Sequence, residues 1–263
     1  MESARSFRPP GRGPFRVDQL RPGDPYELSD GHAIVAEPSG RRHARHNLAA
    51  GSLIDTDPAV EAAGVDAGFK LDEATLRAPD VSTGNLPDQE GFAIGPPALA
   101  LEYVERGRDE ADLERKVAEL ESAGTQVIWV VRLGGERRVE VHRPGEPTIT
   151  RVSGEDLVAP GILRNAIPVD ALYDRALAHD LTLRNLLQRH GYESLDAVRD
   201  EGHVAGAVSQ ARARLRRTLE LRGIAIDAAH EKTIAGCSDL RMLDLWLDRA
   251  LTAAATDDVL RST

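Results

Sequence analysis

The chain carries a single cysteine, Cys237, among 263 residues. That excludes an internal disulfide and any metal site built from cysteines. No apolar run approaches the roughly 20 residues a membrane helix needs, so no membrane partner is expected. The N-terminus lacks the apolar segment of a secretory signal, and a reducing cytoplasm is the expected compartment. Lysine is scarce. Lys70, Lys116 and Lys232 are the only three, so 30 of the 33 cationic residues are Arg. Excess positive charge is missing too: the net charge is −10, with about −9 of it in the first 170 residues. This argues against tight non-specific binding of nucleic acid, but not against a site where acids gather metal ions.

What is present describes an ordinary globular protein, with 41% hydrophobic and 29% charged residues. The length allows one sizeable core or two modest ones. Residues 1–14, rich in Pro, Gly and Arg, read as a disordered basic arm. A short helix is expected from Phe15 to Leu20. Tyr26–Leu28 and Ala33–Glu37 then pair as a hairpin around Asp30–Gly31. Arg41–His46 opens a helix. His43 and His46 have no third ligand nearby and sit among arginines, so a solvated helix start is favoured over phosphate contact. Val65, Ala67, Phe69 and Leu71 alternate with polar or small residues as one half-buried strand, and Thr75–Thr83, carrying Asp80, is its expected neighbour.

The densest signal runs from Asp80 to Trp129. In Ala98–Val104, Leu99, Leu101 and Tyr103 share one side, while Ala98, Ala100 and Glu102 share the other. A carboxylate flanked by alanines has room beside it for an ion or a substrate. A helix from about Asp109 to Ala123 buries Leu113, Val117 and Leu120, and Gly124 ends it. Val127–Val131 reads as a buried strand, followed by a meander through Arg138–His142 and Thr148–Val152. From Ala176 onward the pattern is helical only. Arg212, Arg214, Arg216, Arg217 and Arg222 spread around one helix, and solvated charge is favoured there over DNA contact.

The order Pro79–Asp80, then Glu102 on the next strand, then a Lys, resembles the PD-(D/E)XK nuclease superfamily. Val104 stands where that motif places its Lys, whereas Lys116 is available on the following helix. Asp112–Lys116 with Gly124 and Trp129 is similar to the Uma-two family of restriction-endonuclease-like proteins. The resemblance extends to Tyr26–Gly31, His43, Pro160–Gly161, Ile167–Val169 and Leu172–Tyr173, over about residues 17–175. It implies an α/β (α+β) fold, a PD-(D/E)XK restriction-endonuclease-like mixed sheet flanked by helices. An all-helical C-terminal subdomain follows, giving an arm at 1–14, a nuclease-like domain at 15–175 and a tail at 176–263.

The implied activity is a metal-dependent endonuclease acting on DNA. Asp80 and Glu102 would hold Mg²⁺ or Mn²⁺ with the Tyr103 carbonyl, Lys116 would orient water, and Glu27 is the candidate outer acid. Glu105, Leu120 and Arg132 depart from the residues frequent in the family. Plainer readings exist for each residue: Pro–Asp pairs begin turns, and Asp112 with Lys116 could be a surface pair worth about 0.3–0.5 kcal/mol. Two alternatives therefore stand beside the enzyme. One is an inactive nuclease fold that binds DNA or protein. The other is an oligomeric interaction protein working through its helical tail, with a homodimer left open.

Overall fold

The computed structural model describes residues 13–36, 40–105 and 110–261. Most of the expected arm, and the expected helix start at Asp109, lie outside the described residues. The chain forms two compact units, residues 1–191 and 192–263.

The first unit opens with a 3₁₀ turn at Val17–Gln19 and the hairpin β1 (Tyr26–Ser29) and β2 (His32–Val35). Asp30 and Gly31 both have positive φ, as the tight hairpin turn demands. Helix α1 (Arg41–Asp55) follows. Next come β3 (Ala63–Val65), β4 (Phe69–Lys70), β5 (Leu76–Arg77), β6 (Val81–Thr83) and β7 (Ala93–Ile94). Strand β8 (Leu99–Val104) leads into α2 (Glu110–Ala123) and then β9 (Val127–Arg132). Strands β10 (Arg138–His142), β11 (Ile149–Val152), β12 (Asp156–Leu157) and β13 (Ile167–Pro168) precede α3 (Arg175–Arg189).

Two larger sheets result. A six-stranded sheet runs β11-β10-β9-β8-β6-β3, with β8 and β9 parallel and α2 as their crossover. A five-stranded sheet runs β2-β1-β5-β4-β7. The alternation from Val65 to Leu71 suggested one strand, but the chain breaks there. Asp66 takes a left-handed conformation (φ 53°) that turns the backbone from β3 in one sheet to β4 in the other. The neighbour is divided in the same way. β5 pairs with β4, β6 pairs with β3, and Ala78–Asp80 links the two sheets.

Every residue of β8 is buried. Leu99, Leu101 and Tyr103 join the main core with α1 residues, while Ala100 and Val104 pack with Val117 and Leu120 of α2. Glu102 is thereby on the α2 face, as the period of two dictates. Helix α2 stops at Gly124, whose φ of 112° few other residues tolerate.

Helix α3, assigned to the tail by its pattern, belongs to the first unit. Asn185 donates to Leu53 O, and Arg189 Nη2 donates to the carbonyls of Asp55, Asp57 and Val60 at 2.6–2.9 Å. These side chains satisfy carbonyls at the end of α1, which a helix cannot satisfy by itself, and in the loop just after it. The unit boundary therefore falls at 191/192 and not at 175/176.

The second unit comprises α4 (Leu195–Leu221), α5 (Ala228–Gly236), α6 (Leu240–Ala250) and α7 (Thr256–Val259). Its core joins Val208, Leu215 and Leu219 to Ile234, Leu243 and Trp246. Most arginines of its basic segment have internal partners. Arg212 donates to Cys237 O, Arg216 pairs with Glu231, and Arg222 donates to Ala250 O and Ala253 O. Among the described residues no helix is long and apolar enough to cross a membrane.

Candidate active site

Four elements bring the expected residues together. Asp80 precedes β6, Glu102 lies on β8, Lys116 on α2 and Glu27 on β1. Lys116 Nζ lies 2.7 Å from Glu102 Oε1 and donates to Glu27 Oε1 at 3.1 Å and to Ala78 O at 2.9 Å. The contact with Glu102 is a close charge pair and not an aligned hydrogen bond, so Oε1 of this buried carboxylate has no directed donor. Asp112, the plainer partner for Lys116, instead pairs with Arg115 at 3.0 Å on the helix surface.

Asp80 is held from two sides. Its Oδ2 accepts the backbone N–H of Tyr103 at 2.6 Å. Its Oδ1 lies 2.8 Å from His43 Nε2 and accepts from Asn47 Nδ2 at 3.2 Å. His43 is only 4% exposed, which corrects the reading of a solvated helix start: the arginines around it face outward while His43 and Asn47 face in. The signal was available, since His43, Asn47, Ala50 and Ile54 share one helix face at spacings of three and four. Neither Asn47 nor Arg77, which donates to Glu27 Oε2 at 3.1 Å, stood out from the sequence. His46 stacks on the Tyr103 ring at 5.3 Å, and Tyr103 Oη donates to Leu172 O.

The electrostatics follow from this crowding. Burial works to raise the Asp80 pKa, but the His43 contact, the Tyr103 N–H and the Lys116 charge together hold it below the ordinary value. Glu102 goes the other way. Burial, opposed by Lys116 and reinforced by the Asp80 and Glu27 charges, pushes it up to about 8. Burial works against the Lys116 charge, yet Glu102 and Glu27 outweigh it and raise that pKa. Burial first, and then the neighbouring Asp80 and Glu27 charges, thus favour a proton on Glu102 near neutrality.

The departing residues have structural partners or places. Arg132 is clamped by Glu140 and Glu110, Leu120 is fully buried in the α2 interface, and Glu105 is exposed.

This geometry, a carboxylate beside a strand start, a carboxylate on the next strand and a lysine delivered by the crossover helix, can be set against known proteins. The Uma2 family profile, described as "Putative restriction endonuclease", matches residues 15–170. The chain belongs to the Uma2 family. Its fold is also that of a solved structure titled as "a putative nuclease belonging to DUF820" from Anabaena variabilis. The two are 17% identical with a TM-score of 0.52, over 63% of this chain and 99% of that one. No curated protein matches the chain. The Uma2 match ends before α3, so α3 and the whole second unit lie beyond it.

The donor set of this Uma2 chain fits a hard divalent cation. Asp80 stays ionised, Glu102 Oε1 lacks a directed donor, and the Tyr103 carbonyl lies on the strand edge whose N–H faces Asp80. Among the described residues no three His, Cys, Asp or Glu side chains converge as a complete cation cage. Mg²⁺ does not need one, because it keeps several waters and takes one or two carboxylates plus phosphate oxygens.

Proposed function

We propose that this chain is a metal-dependent endonuclease that hydrolyses phosphodiester bonds of DNA. Asp80, Glu102 and the Tyr103 carbonyl would hold Mg²⁺ or Mn²⁺. The bound cation would polarise the phosphate and ease ionisation of the attacking water. The observation that carries this reading is the meeting of Lys116 with Glu102 at 2.7 Å, beside an Asp80 fixed by the Tyr103 backbone.

The chain's own residues divide the remaining work. His43 and Asn47 orient Asp80 and, with the Tyr103 N–H, keep it charged. Lys116 stays protonated, so it is no proton acceptor; its role is to donate to the attacking water and to offset charge on the phosphate. Glu27, with one oxygen on Lys116 and the other on Arg77, aims the ammonium.

A second reading has its own observation. Lys116 already has two acceptors and a charge partner in Glu102, and both Asp80 oxygens have donors, which suits a buried network in an inactive fold that binds DNA or protein. Supercoiled plasmid incubated with Mg²⁺ or Mn²⁺ separates the two. Nicking by the wild type that chelator, Glu102→Ala and Lys116→Met each abolish supports the enzyme. Intact plasmid at every metal concentration supports the inactive fold.

A further inference from the structure

Behind Glu27 lies a second layer of charge that the proposed roles do not use. Arg77, on β5, is 2% exposed. Its Nη1 donates to Glu27 Oε2 at 3.1 Å and its Nε donates to Glu119 Oε2 at 2.5 Å. Glu119 is anchored in turn, because its Oε1 accepts from Ser29 Oγ at 2.5 Å. Charges alternate along this line from Glu102 through Lys116, Glu27 and Arg77 to Glu119.

The placement of the line gives it meaning. Lys116 and Glu119 are one turn apart on α2 and face the same way. Glu27 and Ser29 are alternate residues of β1, and β1 pairs with β5 at Leu28 and Leu76. Arg77 therefore grips the helix through Glu119 and the hairpin through Glu27. A buried guanidinium holds its N–H groups in a rigid planar fork, so Nη1 and Nε fix the two carboxylates in set directions. Removing it leaves two carboxylates facing each other with one fewer cation, and both can turn away.

We propose that Arg77 is a positioning residue of the active site: by locking Glu27 to α2 it sets where the Lys116 ammonium points. It touches neither substrate nor metal. The inference rests on the nuclease reading for its consequence in turnover, but its geometric part stands apart from any activity.

The test uses the full chain and the small number of lysines. With ¹⁵N-lysine, the wild type should give one slowly exchanging ammonium signal, from buried Lys116, distinct from the other two; Lys116→Met assigns it. The paired variant Arg77→Met with Glu119→Gln removes charge of both signs and avoids an unpaired buried carboxylate on the helix. It should lose the slow exchange and lower kcat for plasmid cleavage at least tenfold, with KM for DNA within about twofold. Arg77→Lys serves if the paired variant does not fold; it should retain the fold, broaden the signal and lower kcat several-fold. A folded variant that keeps both the slow ammonium and the wild-type kcat overturns the proposal. If the wild type cleaves nothing, the nuclease reading fails by itself, and the ammonium signal still decides whether Arg77 positions Lys116.

Discussion

At the residue scale, Glu102 carries the most distinctive chemistry. Its pKa of about 8 lies well above the unfolded carboxylate value near 4.3. Between those values the native state binds a proton that the unfolded state has released. Stability of the metal-free protein should therefore fall as pH rises from about 4.5 to 8 and level off above. Glu102→Gln should remove most of that slope, as urea denaturation at pH 5.5 and 8 would read. An unchanged slope in the variant would place the proton elsewhere. Asp80 has the opposite sign: its lowered pKa stabilises above the unfolded value near 3.9 and that contribution is lost on acidification. Glu102 was legible in the sequence because a lone acid on an otherwise apolar strand is costly without a purpose. Lys116 was legible through its rarity. Arg77 was not, because one arginine among 30 carries no pattern; its partners at positions 27 and 119 lie on a strand and a helix far from it in the chain.

At the element scale, α1 is a support for Asp80 and not only a cover for the sheet. His43 and Asn47 lie one turn apart and meet the same oxygen. Asn47→Ala removes a hydrogen bond to a buried charge, and should cost about 1.5–3 kcal/mol in chemical denaturation. Arg45→Ala, on the exposed face, should stay within about 0.5 kcal/mol. Equal costs would mean that α1 does not hold Asp80. The sequence showed the start of the helix but not its inward face, and the histidine was misplaced because neighbouring arginines suggested solvent. Strands were read well where alternation was long, as in β8 and β10. They were misread where Asp66 breaks the pattern, since a single left-handed residue moves the following strand into another sheet and leaves the alternation unchanged.

At the scale of the whole molecule, the pattern change after Arg175 marked the onset of helices and not the edge of a unit. Helix α3 returns to α1 through Asn185 and Arg189, contacts that sequence patterning cannot register. A fragment of residues 1–191 should unfold cooperatively, whereas residues 1–174 should lose that cooperativity or aggregate, because carbonyls at and just beyond the end of α1 then lose their Asn185 and Arg189 donors. Calorimetry on the two fragments checks this, and a cooperative 1–174 fragment would restore the earlier boundary. The central claim is that Asp80 and Glu102 share a divalent cation, and Lys116 serves the water. It is tested most directly by melting temperature against Mg²⁺ or Mn²⁺ for the wild type, Glu102→Ala and Lys116→Met. A cation that binds only the native state stabilises it by about 2.7 kcal/mol at one hundred times its dissociation constant. The account predicts a rise in the wild type, most of that rise in Lys116→Met, and none in Glu102→Ala. Equal responses in the wild type and Glu102→Ala would contradict it.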